Sequence, residues 1–309
     1  MGSVVSLVRT QGSLESIKGS ISEALSLINF NLDGSIESVV IKPNLCYYWD
    51  AATGQTTDPQ VVSGIIDFVR EKCGEDVDVK VVEADASAMR TKYAFTVLGY
   101  ERLSQEKNVE LFNLSNDSLV EKTVMVGERE LSFQVPQLLL NCNLFINVPK
   151  LKVMRETKIT CAMKNLFGCI GSPRKVVYHP FLDEAIVGIN RVLRPHLTIV
   201  EGLVALGRFP VKLGLIMAGV DTFSIDWVAS QILGYKSSKV RFLKIAMEDE
   251  IGNPKRITTR GVSVAEFKKN LQKPRFTSSN YWWNAQSWLL KMYRKVVGDV
   301  IPPALEEGV

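Results

Sequence analysis

The stretch LFINVPKLK, residues 144–152, holds the pattern that decides the fold. Its first five residues are almost continuously apolar, the mark of a strand covered on both faces, as in a parallel sheet. Its last four leave that strand through Pro149 into two lysines. Five more short apolar runs read the same way: Ser38–Ile41, Val77–Glu83, Val109–Asn113, Leu197–Glu201 and Leu215–Gly219. Helical patterns lie between them. Leu14–Ile28 puts Leu14, Ile17, Ile21, Ala24, Leu25 and Ile28 on one stripe. A second helix starts at Asp58-Pro59, with Asp as N-cap and Pro in the first turn. Phe181–Leu193 and Ser224–Leu233 complete the set, the latter stopping at Gly234. Thr157–Met163 carries a shorter helical pattern. This alternation predicts an α/β protein: a mostly parallel, doubly wound sheet with helices on both faces.

A β-hairpin insertion is expected at about 122–135, where Val124–Gln134 turns at Gly127-Glu128. Residues 1–252 then form the α/β domain and 253–309 a helical C-terminal appendage. From Asn253 to Val296 the chain has ten Lys or Arg and one Glu, interleaved with Tyr281, Trp282, Trp283, Trp288 and Tyr293. A docked helix with a solvated basic side explains that composition. Contact with nucleic acid or a membrane surface is the less favoured reading, because no RNA-binding motif accompanies the aromatics.

The composition is that of an ordinary globular chain. Its 309 residues are 46% hydrophobic and 23% charged, with a net charge of +4, too weak to argue for nucleic acid. Five cysteines, an odd and scattered number, do not make a secreted disulfide framework. A cytoplasmic protein with no transmembrane segment is expected.

Ligands of open parallel sheets bind where strands end. Here the strands exit into Lys42-Pro43-Asn44, Glu83-Ala84-Asp85, Asn113, Asn147-Val148-Pro149-Lys150, Glu201-Gly202 and Gly219-Val220-Asp221. Between 144 and 182 the only acidic residue is Glu156, amid Lys150, Lys152, Arg155, Lys158, Lys164, Arg174, Lys175 and His179. Lysines gathered at strand exits suit phosphate or carboxylate. Gly168 offers close backbone approach, and neither a P-loop nor GxGxxG is present. The reading is an enzyme acting on a small, multiply anionic metabolite, phosphorylated or carboxylated. Lys42, Asn44, Asn147, Lys150, Lys152, Lys164, Asn165, Gly168 and Lys175 would bind it. Glu83, Asp85 or Glu201 would serve as base and His179 as acid, with the reaction class open. The alternatives are a non-catalytic anion-binding scaffold and an iron–sulfur or redox protein using Cys46, Cys161 and Cys169. No metal ligands are assigned: cysteine spacing disfavours an iron–sulfur cluster, whereas Mg²⁺ could accompany a substrate phosphate.

Six motifs, in order, resemble the family known as DUF362. They are VVIKPNL (39–45), Thr56-Thr57-Asp58-Pro59, INVPKLK (146–152), MKNLFGCIG (163–171) followed by His179, IVEG (199–202) and AGVDTFSIDWVAS (218–230). The resemblance runs from about 38 to 235 and implies an α/β protein of archaeal or bacterial type. Several family members carry a C-terminal ferredoxin-type domain, which implies redox work. This chain has no cysteine from Tyr235 onward, so electron transfer would need a separate ferredoxin. It also departs where the family reads PKLKTH, because Val153-Met154 follow Lys152 and the histidine is missing. After its glycine-preceding acid, here Glu201 instead of Asp, it adds Arg208. The chain resembles a divergent member.

Overall fold

The computed structural model describes residues 2–87 and 89–271. Twelve strands occur among them: β1 (Ser3–Arg9), β2 (Ser38–Pro43), β3 (Asp78–Glu83), β4 (Glu110–Asn113), β5 (Leu119–Val126), β6 (Arg129–Pro136), β7 (Leu144–Val148), β8 (Lys150–Met154), β9 (Lys158–Thr160), β10 (Leu197–Leu206), β11 (Pro210–Gly219) and β12 (Ile257–Gly261). The main sheet has the order β12-β1-β11-β10-β7-β2-β3-β4. Along it only β11 runs against the others. The fold is thus a mostly parallel α/β sheet. β8 continues beside β10 and folds back on β9. β5 and β6 form the separate antiparallel hairpin.

Side-chain alternation splits the core into two layers. On β2, Val39 and Ile41 face one layer and Val40 the other; on β7, Leu144, Ile146 and Val148 oppose Phe145. The first layer packs under helices Leu14–Leu27, Pro59–Cys73, Thr91–Val97 and Tyr100–Lys107. The second packs under Ala162–Phe167, Leu182–Val192, Thr222–Ile232, Arg241–Glu248 and the β5–β6 hairpin. Asp58 caps Pro59–Cys73 by accepting from Gln60 N at 2.9 Å, as its sequence position predicts. With each layer closed by helices, the central strands β2, β7 and β10 are largely shielded from water, which is why those runs are mostly apolar.

Three expectations are corrected. The helical pattern at Thr157–Met163 divides: Lys158–Thr160 is extended and the helix begins at Ala162. Lys158 has φ +67°, a turn conformation, and β-branched Ile159 and Thr160 suit a strand. Leu197–Glu201 and Leu215–Gly219 are halves of one long hairpin, joined through Gly207–Phe209, with a bulge between Gly202 and Val204. Because β11 is antiparallel, Asp221 leaves it at the opposite end of the sheet from Lys42. There Asp221 caps Thr222–Ile232 through Phe223 N and Ser224 N.

β1 and β12, from the termini of the described residues, widen the sheet beyond the six strands read from the sequence. β12 lies past the 252/253 division and pairs in parallel with β1, and Phe267 beyond it is fully buried. The aromatic stretch Tyr281–Tyr293 lies outside the described residues. Among those described, no helix is long and apolar enough to cross a membrane.

Candidate functional site

The carboxyl ends of β2, β3 and β7 carry polar side chains on the face where the helix Ala162–Phe167 packs. Lys42, on the Val40 side of β2, is 1% exposed and meets Glu83, at the end of β3, with Nζ 2.7 Å from Oε2. Pro43 O accepts a second Nζ hydrogen at 2.7 Å. Glu83 is further held by the backbone N–H groups of Leu45 and Ala84 at 3.1 and 3.0 Å. A charge pair so deeply buried persists only with such additional bonds, and removing one partner would cost about 3–5 kcal/mol.

Above the pair runs a relay of amides. Asn147 Nδ2 donates to Ala162 O at 3.1 Å, Asn165 Nδ2 to Asn147 Oδ1 at 2.8 Å, and Asn44 Nδ2 to Asn165 Oδ1 at 2.9 Å. Ala162 O can only accept, so it fixes the direction of every amide in the series. The helix that supplies Asn165 and Lys164 is itself held by Asp226, from Thr222–Ile232. Asp226 accepts from Ala162 N at 2.6 Å and Met163 N at 3.0 Å. Burial pushes Asp226 up to about 7, against the pull of those N–H groups and a hydrogen bond with the Cys161 thiol.

A cavity of about 200 Å³ opens beside the ion pair, and its lining includes Lys42, Glu83, Lys164, Gly168, Lys175 and His179. Gly168 lies directly on the ion pair: a Cβ there would stand 3.3 Å from Lys42 Nζ and 3.4 Å from Glu83 Oε1. Lys175 Nζ donates to Asp85 O at 2.8 Å and Gly168 O at 3.0 Å. Burial lowers Lys175 to about 8, with Glu83 opposing that shift and Lys42 adding to it. Lys164 is lowered as well, chiefly by burial. Among the described residues no protein group accepts a hydrogen bond from its Nζ. His179 stands exposed at the rim.

Not every residue expected at the site meets there. Lys150 and Lys152 project from the same face of β8, opposite Leu151 and Val153, and reach the loop 44–57. Lys152 donates to Gln55 O at 2.6 Å and Lys150 to Ala51 O at 3.4 Å. Lys150 is also ion-paired with Glu201, both fully buried. That pair lines a second cavity of about 300 Å³, beside Thr56, Thr57 and Asp58. Glu201 further accepts from Leu203 N at 2.7 Å and Asp58 N at 3.2 Å, and burial raises its carboxyl. Only the backbone carbonyl of Asp85 meets Lys175. Its carboxylate accepts from Thr91 N at 2.8 Å, Arg90 at 3.2 Å and Asn113 at 3.2 Å. Glu83, Asp85, Glu201, Asp221 and Asp226 thus each have protein donors, and no single cavity gathers them. Among the described residues no group of three or more His, Cys, Asp or Glu is placed to hold a metal ion. Burial pushes Cys169 up to about 12 and holds Cys161 well above the ordinary thiol value, away from the thiolate that a cluster requires. Cys46, half-buried, stands in the cavity wall and hydrogen-bonds Lys152.

A model of the family described as "Domain of unknown function (DUF362)" matches residues 39–231. The chain belongs to the DUF362 family. Lys42, Glu83, the amide relay, Asp226 and Lys175 all fall inside the matched stretch. A thylakoid-associated protein of Synechocystis sp. is 26% identical over 298 residues, covering 90% of this chain and 86% of that protein. The lactate racemase apoprotein of Thermoanaerobacterium thermosaccharolyticum matches in structure with a TM-score of 0.37 at 11% identity, over 79% of this chain. The DUF362 chain spans 56% of that protein's length.

Proposed function

We propose that this DUF362 protein is an enzyme acting on a small, multiply anionic metabolite, phosphorylated or carboxylated, bound against Lys42, Lys164 and Lys175. One observation carries the reading: three lysine amines share the cavity wall with one carboxylate, and that carboxylate is committed to Lys42. Burial lowers Lys164 and Lys175 despite the negative groups that oppose it, and an anion in the cavity would offset it further. Lys164 supplies a donor with no protein acceptor, and the Gly168 surface leaves Lys42 open to a ligand oxygen. His179 at the rim is within the same cavity to give or take a proton.

Calorimetry of the full chain with inorganic phosphate, pyrophosphate and oxalate tests the binding half. Saturable binding is expected, weakened at least about tenfold by Lys164→Ala, the loss of one charge-assisted contact, while the melting temperature holds. Absence of binding, or binding indifferent to Lys164→Ala, would overturn it. For the catalytic half, ³¹P and ¹H NMR of mixed phosphorylated and carboxylated metabolites should show one component consumed by wild type and spared by Lys164→Ala. Ligand binding with no component consumed would leave an anion-binding scaffold instead.

A further inference from the structure

The cavity contains an amine placed for covalent chemistry as well as for holding charge. Lys175 is 6% exposed and opens the short 3-10 segment Lys175–Phe181 along the cavity wall. Its two protein acceptors, Asp85 O and Gly168 O at 2.8 and 3.0 Å, are neutral carbonyls. No carboxylate hydrogen-bonds its Nζ among the described residues, because Glu83 is taken by Lys42. A neutral amine has two N–H groups and one lone pair. Two carbonyls use the two N–H groups, and the lone pair is then directed away from both.

Lys164 differs: among the described residues its Nζ has no carbonyl anchor. The groups that face Lys175 are Glu83, Lys42, Cys169 and Asp85; burial, with Lys42 adding to it, outweighs Glu83, Cys169 and Asp85 to bring it to about 8. A substantial fraction of the amine is therefore unprotonated under mildly alkaline conditions, as a nucleophilic lysine requires.

We infer that Lys175 is an imine-forming lysine that condenses with the aldehyde or ketone carbon of an anionic oxo compound, a 2-oxo acid or a sugar phosphate, seated on Lys42 and Lys164. The inference rests on the anion reading above and adds the carbonyl to it. The Nζ lone pair forms the C–N bond while the C=O π pair moves to oxygen. The oxygen then departs as water with both amine hydrogens as nitrogen closes the C=N bond. Nothing is oxidised or reduced, and no co-reactant is consumed. Protonated once from solvent, the iminium keeps an N–H for one of the two carbonyls. It draws electrons from the neighbouring carbon, where a bond to hydrogen, carbon or carboxylate can then break.

The probe is glyoxylate, an aldehyde and a carboxylate in one small molecule. Full-length protein is incubated with it, reduced with sodium cyanoborohydride and mapped by peptide mass spectrometry. Expected is a reduced adduct on Lys175, formed at least about tenfold faster than on surface lysines. Its rate should rise as pH passes through about 8. Saturating inorganic phosphate should slow it in the unaltered protein, and Lys175→Arg should abolish it. Adducts spread over surface lysines at similar rates, or centred on Lys164, would overturn the inference. Phosphate binding measured on the same sample separates the two failures. Binding without a Lys175 adduct refutes the imine and leaves the anion site standing, whereas absence of binding removes the site on which the imine depends.

Discussion

Replacing Gly168 with alanine should separate ligand affinity from stability, because the added methyl acts on the two in different ways. Gly168 has φ −64° and ψ −21°, ordinary right-handed backbone, so alanine is not excluded by conformation. Restricting the unfolded chain should favour the variant by about 0.4–1 kcal/mol. Against this, the Cβ would stand 3.0 Å from Asn165 O, a contact that must give by a few tenths of an ångström. The two effects nearly cancel, and net stability should stay within about 1 kcal/mol of wild type. The same Cβ sits 3.3 Å from Lys42 Nζ, over the face of the ion pair that opens on the cavity. Two of the three Nζ hydrogens are already bonded to Glu83 and Pro43, and the methyl shields the third from a ligand. Losing a hydrogen bond between charged groups costs about 1.5–3 kcal/mol, or about 10- to 150-fold in Kd. Urea denaturation and phosphate calorimetry on the same preparations provide the two readouts. Affinity within twofold of wild type would refute the placement of the anion over Gly168. Weaker binding together with a stability loss of about 3 kcal/mol or more would refute the claim that the site accepts a methyl without collapse.

Lys42→Met should destabilise by about 3–5 kcal/mol in denaturant, since it strands Glu83 in the interior, and adding Glu83→Leu should recover most of that loss. If the double variant were no better than the single one, repacking rather than a stranded charge would be the cause. Anion affinity should fall as pH rises through about 8, where the free-state Lys175 amine loses its proton, with proton uptake on binding detectable by calorimetry in buffers of different ionisation enthalpy. A flat profile from pH 7 to about 9 would contradict this. Asp226 has its carboxyl raised to about 7 from 3.8, so over that interval the folded protein binds more protons than the unfolded chain. Its contribution to stability is therefore greatest at low pH and declines as pH rises to about 7. Asp226→Asn should flatten that part of the stability profile, measured by denaturation at a series of pH values, and an unchanged slope would assign the pH dependence to another group.

Legibility from sequence followed the range of the forces involved. Leu144–Val148 was readable to the residue and β2 nearly so, because burial on both faces leaves a continuous apolar run, and β3 and the half-exposed edge strand β4 were placed to within a residue. The β10–β11 hairpin was not, since apolar content alone says nothing of strand direction, and treating every strand as parallel placed Asp221 at the wrong end. At the site, Lys42, Lys164 and Lys175 were gathered by charge in or near strand exits, and Gly168 by the close backbone approach a glycine permits. Lys150 and Lys152 carried the same signal yet turn toward a loop about a hundred residues earlier in the chain, a choice made by the sheet register. From sequence, Asp226 reads as a candidate carboxylate base or Mg²⁺ ligand, or as a cap or ion-pair partner within its own helix. A carboxylate among Ile225, Trp227, Val228 and Ala229 was the available clue, and what it caps is a different helix.

The loop 44–57 is pinned at Ala51 and Gln55 by Lys150 and Lys152, and at Thr57 by a hydroxyl bond to Val148 O at 2.9 Å. Thr57 Oγ1 also accepts from Asn44 N at 2.9 Å, so the wall that carries Asn44 is set before any ligand arrives. A binding site built this way has already lost the conformational freedom that an adaptable loop would surrender on each encounter. Its ligand is received by shape, and empty and filled forms should superpose closely. Differences among ligands should then appear in how slowly each one leaves.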